Sequence, residues 1–132
     1  MILVDTSVLI DYFKGKNNSG TEKFQYIQDQ KIKFGITNLI YLELLQGSKD
    51  EEEYKMLKEY LETQKFYDIK NAKRSYEEAS KIYMKCRKNG YTIRSTIDLI
   101  ICQITIENEL FLLHNDKDFD DIIKVYKNLK VY

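Results

Sequence analysis

Proline is absent from this 132-residue chain, and its five glycines are scattered. No flexible or Pro-rich linker and no low-complexity block divides it. Histidine occurs once, at His114, so neither a zinc protease nor a Ser-His triad has its parts. Cys86 and Cys102 are too few for a disulfide framework or a cysteine zinc cluster, and both fall in apolar helical stretches as reduced core thiols. No window approaches the roughly 18 apolar residues of a membrane span. Asp5 breaks the opening apolar run and no cleavage site follows, so no signal peptide is expected and the expected compartment is the cytoplasm, away from membranes. Charge of one sign is lacking too. Lys and Arg number 21, Asp and Glu 21, which removes the simplest nucleic-acid signature, a strongly basic domain.

What remains is the composition of a folded domain. Hydrophobic residues make up 43% and aromatics 13%, too rich for a disordered tail. The length suits a single domain over 1–132 with an adequate core. Residues 1–4 read as a buried strand, followed by capping residues Asp5, Thr6 and Ser7 and a helix through Phe13. Residues 15–20 form a loop and 21–31 a helix with Phe24 and Ile27 inward. A second strand at 34–36 leads to a helix at 39–46, capped by Thr37 or Asn38, and Gly47 can end it. A charged amphipathic helix spans 50–63, a third strand 65–69. A long helix follows, with Ala72, Tyr76, Ala79, Tyr83 and Cys86 on its core face. Another helix starts at Thr96, a fourth strand covers 110–113, a short helix 118–124, and a fifth strand 130–132. Strict alternation predicts an α/β fold: a three-layer α/β/α sandwich around a mainly parallel sheet of four to five strands.

Four acids stand in unexpected places. Asp5 follows the first strand, at the carboxyl edge where open α/β sheets bind ligands; it is also a natural N-cap. Glu43 is embedded in Leu39–Leu45, a stretch apolar all round that reads as a buried helix, where a carboxylate needs compensation by a lysine or by a shared site. Asp98 sits in the first turn of an apolar helix, where the macrodipole favours an anion. Asp116 and Asp118 follow the fourth strand; Asp118 is the better cap for the short helix, which leaves Asp116 for the site. Carboxylates gathered together repel by about 4 kcal/mol per pair at 4 Å in an effective dielectric near 20. Protons or divalent cations must offset that, and hard oxygen ligands without His or Cys clusters fit Mg²⁺ or Mn²⁺.

In order and spacing, Ile2–Ile10, Thr37–Gly47, Thr96–Ile101 and Leu112–Phe119 resemble the four motifs of the PIN-domain family, specifically its VapC-type toxins. The resemblance covers essentially the whole chain. It departs at His114, where Thr or Ser is more usual, and at Cys102, where Ala is usual. It implies a metal-dependent endoribonuclease that hydrolyses structured RNA, such as tRNA or rRNA, by metal-activated water, leaving 5′-phosphate and 3′-hydroxyl ends. Asp5, Glu43, Asp98 and Asp116 would be the catalytic, metal-holding acids, with Mg²⁺ or Mn²⁺ as cofactor. Thr6, Ser7, Thr96 and Asp118 are accessory candidates to bond a phosphate or orient an acid. The resemblance further implies a small VapB-like antitoxin as partner, a homodimer, and contact with operator DNA only through the antitoxin complex.

For holding RNA, residues 65–94 carry nine Lys and Arg against three acids, with Tyr67, Tyr76, Tyr83 and Tyr91 interleaved. Arg74, Lys85, Arg87, Lys88 and Arg94 are the RNA-binding candidates. The alternative is a solvated helix whose tyrosines face the core. Rival readings lack residues. A receiver domain needs an acidic neighbour for Asp5, a dehalogenase-type phosphatase needs an acid where Ser7 stands, and Gly15–Thr21 lacks the P-loop lysine. An inactive PIN-like binding module and a DNA-directed nuclease stay open as alternatives.

Overall fold

Ile2, Leu3 and Val4 are buried without alternation, which is how a strand reads when helices cover both faces of its sheet. In the computed structural model, which describes residues 1–132, these residues form β1 (Ile2–Val4), followed by α1 (Thr6–Phe13), α2 (Ser19–Asp29), β2 (Phe34–Thr37), α3 (Asn38–Gln46) and α4 (Glu51–Leu61). The second half runs β3 (Lys65–Tyr67), α5 (Ala72–Lys88), α6 (Thr96–Glu107), β4 (Phe111–Leu113), α7 (Lys117–Val125) and β5 (Lys130–Val131). All pairings are parallel, in the order β3-β2-β1-β4-β5. Helices α1 to α4 pack among themselves, as do α5 to α7, giving the expected three layers.

Local chemistry sets the helix starts. Asn18 and Thr21 form a capping box that begins α2 two residues earlier than the loop reading of 15–20 allows. Thr37 caps α3 by accepting the Ile40 N–H at 3.1 Å, and Asp50 caps α4. Gly35 in β2 lies under the Tyr67 ring of β3, where a Cβ would come within 2.4 Å of a ring carbon. The core is one cluster that includes Leu3, Leu9, Phe24, Ile36, Ile82, Leu112 and Phe119. Cys86 and Cys102 are buried free thiols, pushed up by burial, as the sequence reading expects.

Three expectations are corrected. Helix α3 is not buried all round: Ile40 and Leu44 are buried while Leu42 is 55% exposed. The core face of α5 is Ser75, Ala79, Ile82 and Cys86, and Tyr76 points outward at 57% exposure. It turns because the Ser75 hydroxyl is drawn inward to donate to Glu107 of α6. The third strand stops at Tyr67, two residues early.

The strand order changes direction at β1, whose neighbours are β2 on one side and β4 on the other. The crevice beyond the carboxyl ends of such strands is where this architecture binds ligands. Val4 pairs with Leu113, and the Asp5 N–H donates to the Leu113 carbonyl at 2.9 Å. The chain therefore leaves β1 and β4 side by side, at Asp5 and at His114–Asp118.

Candidate metal centre

Asp5 is both the helix cap and a buried acid. Its Oδ2 accepts the Ser7 N–H at 3.0 Å and the Ser7 hydroxyl at 2.6 Å, and the residue is 4% exposed. Burial pushes its carboxyl above the usual range, the two Ser7 bonds pull it back, and the charges of Glu43 and Asp116 push it up again. Ser7 in turn accepts the Asn115 N–H at 3.0 Å, joining α1 to the loop after β4.

Glu43 reaches this edge from α3. The Thr6 hydroxyl donates to its Oε1 at 2.9 Å, so a hydroxyl rather than a lysine answers the half-buried carboxylate. Asp98 enters from the first turn of α6 and is pushed up to about 7, first by burial and then by the charges of Asp5, Asp116, Asp118 and Glu43. That shift is opposite to what a helix N-terminus does alone; four neighbouring acids and lost solvent outweigh the dipole.

The fourth motif assigns its two acids differently from the sequence reading. Asp116, not Asp118, caps α7, accepting the Asp118 N–H at 2.9 Å. Asp118 lies inside the helix, 4% exposed, and accepts the Arg94 N–H at 3.1 Å. Helix α7 begins one residue earlier than expected, so the cap moves to the residue before it. Asp98, Asp116 and Asp118 each offer an oxygen within 4.8 Å of the others. Asp118, an accessory candidate by sequence, thus joins the closest trio, while Asp5 and Glu43 stand behind it within range of its charge. The oxygen-only donor set fits a hard divalent cation such as Mg²⁺ or Mn²⁺.

Two neighbours were not singled out for this role. The Arg94 Nε lies 3.4 Å from Asp118 Oδ1, and an Arg94 terminal nitrogen lies 4.0 Å from Asp116 Oδ1. Asn115 ties the site to the α1–α2 loop by donating to Asp11 at 3.0 Å and to Asn18 at 2.9 Å. A Cβ on Gly20 would sit 2.0 Å from the Asn115 side-chain oxygen, which explains the glycine inside a helix. No local pattern announces either contact; both join segments distant in sequence. The His114 side chain is only 6% exposed, and burial lowers its pKa. Its Nδ1 accepts the Asp116 N–H at 3.2 Å, so that nitrogen is already engaged.

The remaining candidates scatter. Thr96 is exposed at the start of α6. Arg74, Lys85, Arg87 and Lys88 are exposed along α5, with the Arg87 guanidinium 5.7 Å from the centre of the Tyr83 ring. Between α5 and α6 a cleft of about 590 Å³ is lined by Tyr76, Tyr83, Met84, Arg87, Arg94 and Leu99 among others. On the other side of the acids, a groove of about 570 Å³ between α1, α3 and α4 is lined by Ile10, Phe13, Leu44, Met56, Leu57 and Tyr60, with Glu43 also in its wall. No helix is long and apolar enough to cross a membrane.

Comparison with known proteins points one way. The VapC ribonuclease Mb1587 of Mycobacterium bovis is 26% identical over 126 residues, covering 95% of this chain and 93% of its own. Ribonuclease VapC11 of Mycobacterium tuberculosis matches with the same identity and coverage. Among solved structures, VapBC2 of Rickettsia felis, bound to a DNA fragment from its promoter, superposes with a TM-score of 0.73 at 18% identity, over 100% of this chain and 98% of that one. A toxin–antitoxin complex from Klebsiella pneumoniae gives 0.68 at 20% identity, over 99% and 100%. FitAcB from Neisseria gonorrhoeae gives 0.67 at 17%, over 100% and 96%. The PIN-domain model matches residues 2–125, a span that holds every one of the clustered acids, and the chain belongs to the PIN-domain family.

Proposed function

We propose that this chain is a VapC-type endoribonuclease toxin, a metal-dependent hydrolase acting on phosphodiester bonds of structured RNA, tRNA and rRNA among the substrates. The observation that carries the reading is the trio Asp98, Asp116 and Asp118, with one oxygen each within 4.8 Å, backed by Asp5 and Glu43 at the crevice between β1 and β4. The names of the mycobacterial relatives support the ribonuclease assignment.

Asp98, Asp116 and Asp118 are the direct holders of Mg²⁺ or Mn²⁺ in this reading, with Asp5 and Glu43 completing the site. A divalent ion there supplies Lewis-acid stabilisation of developing negative charge and a water of lowered pKa at neutral pH. The chain supplies the geometry. Ser7 fixes the Asp5 carboxylate through two bonds to one oxygen, Thr6 aims Glu43, and the α7 cap holds Asp116. With Asp98 pushed up to about 7, the part of the population still protonated at neutral pH gives up its proton when the site is loaded.

The apolar groove beside Glu43 suits the tail of a small VapB-like antitoxin, its apolar residues on Phe13, Met56 and Tyr60 and a basic residue turned to the acids. The solved neighbours that are toxin–antitoxin complexes support that partner, with operator DNA reached through the antitoxin. Residues 1–132 act as one unit in the cytoplasm, paired as a homodimer.

The test is cleavage of a mixed structured-RNA pool by antitoxin-free protein with Mg²⁺ or Mn²⁺, beside EDTA and an Asp98→Asn variant. Defined fragments with 5′-phosphate ends, lost in EDTA and in the variant, are expected. Equal cutting by wild type and variant would sink the assignment of these acids to the cutting centre. Tight RNA binding without any metal-dependent cutting would leave an inactive binding module.

A further inference from the structure

We infer that Arg94 is a cation with two positions: it neutralises the acid trio when no metal is bound, and it yields to the divalent ion and then grips RNA phosphate in the α5–α6 cleft. The inference rests on the metal-dependent ribonuclease reading and adds an ordering to it, metal first and RNA second.

Arg94 lies just outside the N-terminal end of α6, and its side chain is 74% exposed. Its backbone and its guanidinium do different things. The N–H donates to Asp118 Oδ2 at 3.1 Å, a bond any residue would make. The guanidinium stands 3.4 Å from Asp118 and 4.0 Å from Asp116, with no bond shorter than that holding it. The carboxylates are sheltered, but the guanidinium end is open to solvent and its contacts are long, so screening by water keeps the pair weak and readily broken. A divalent ion held by the same two carboxylates takes over their charge and repels the guanidinium, because like charges a few ångströms apart are unfavourable.

The displaced side chain has somewhere to go. Arg94 also lines the cleft shared by Tyr76, Tyr83, Met84 and Arg87. Arg87 already lies against the face of Tyr83. With Arg94 released, two guanidinium groups border one aromatic-lined cleft beside the acids. That is the chemistry that takes phosphate oxygens of single-stranded RNA, with an unstacked base on tyrosine. In the metal-free chain the same residue is committed to carboxylates, so RNA finds a weaker site until the ion is in place.

The test measures two affinities on Arg94→Ala, Arg94→Lys and wild type. Mn²⁺ binding without RNA is followed by titration calorimetry. Binding of a short fluorescein-labelled mixed-sequence RNA is followed by anisotropy, with Ca²⁺ as a slow-cutting stand-in and again in EDTA. The expected result has opposite signs: Arg94→Ala binds Mn²⁺ about threefold to tenfold tighter and RNA with Ca²⁺ about tenfold weaker. Arg94→Lys keeps the charge and returns Mn²⁺ affinity towards wild type. In EDTA the loss of RNA affinity shrinks. A merely structural Arg94 would weaken both affinities together, and unchanged Mn²⁺ affinity would likewise overturn the inference. Melting followed by circular dichroism confirms that Arg94→Ala folds, since its N–H still reaches Asp118. A wild type that binds no Mn²⁺ would remove the metal-site reading itself, a result distinct from equal binding by wild type and variant.

Discussion

Asp98 and Glu107 sit at opposite ends of the same helix, α6, and they have opposite fates. Asp98 lies at the positive end of the macrodipole, which should lower its pKa, yet burial and four acidic neighbours push it up to about 7. Glu107 lies at the negative end, which should raise its pKa. Burial pushes it up too, but hydrogen bonds from Ser75, Gln103 at 2.9 Å and the Lys70 N–H at 2.8 Å pull it below its ordinary value. Position on a helix therefore decides neither case. Glu107 is given donors; Asp98 is given other carboxylates, and folded stability at neutral pH is lower for it.

The comparison breaks most readily on cleavage. Asp98→Asn should reduce RNA cutting by at least about 10²-fold, while Glu107→Ala leaves the specific rate of folded protein near wild type; single-turnover assays on both variants decide it. Metal should separate them next. At a free Mg²⁺ or Mn²⁺ concentration of roughly 100 Kd, wild type and Glu107→Ala should each gain about 2.7 kcal/mol of unfolding free energy, and Asp98→Asn much less, as denaturant melts will show. Removing the structural acid should then cost the fold itself. Glu107→Ala takes the acceptor from the buried Ser75 hydroxyl, for about 1–3 kcal/mol in EDTA.

The pH dependence of the metal-free fold tests the contrast by its sign. Folded Asp98 keeps its proton up to about 7, whereas the unfolded residue releases it near 3.8. The folded state binds the extra proton across that window, so wild type should lose stability relative to Asp98→Asn as pH rises from about 4 to 7, with no further change above. Glu107 has the reverse sign: its contribution is present above about 4.5 and is lost as pH falls through its lowered folded value. Melting of wild type, Asp98→Asn and Glu107→Ala in EDTA across this range tests both signs. A wild-type profile parallel to that of Asp98→Asn would end the contrast.

Much of this could be read from the residues alone. Alternation of apolar runs and capped helices carries the parallel sheet, and Asp5, Glu43 and Asp98 betray themselves by being charged among Leu and Ile. What escaped reading depends on contacts between distant segments. The cap of α7 shifted from Asp118 to Asp116 because two aspartates two residues apart make equally good starts, and only the fold sets the register. Tyr76 was assigned to the core face of α5, but that helix is rotated by Ser75 meeting Glu107, 32 residues away. Arg94 counted as one cation among nine; its meeting with Asp116 and Asp118 needs β4 to end beside α6. Glu43 was legible as an anomaly, while its partner Thr6, 37 residues earlier, was not.

The placement of β1 has a consequence for how the protein comes into being. Its three residues are synthesised well before Phe111–Leu113, which alone fill one flank of the strand, and Asp5 waits for the carbonyl of Leu113. Pairings so remote along the chain form late and slowly. The acid trio itself is incomplete until residue 118 exists. On the proposed function, a nascent chain that has not yet reached residue 118 is harmless to the RNA around it, because its cutting centre has yet to be assembled.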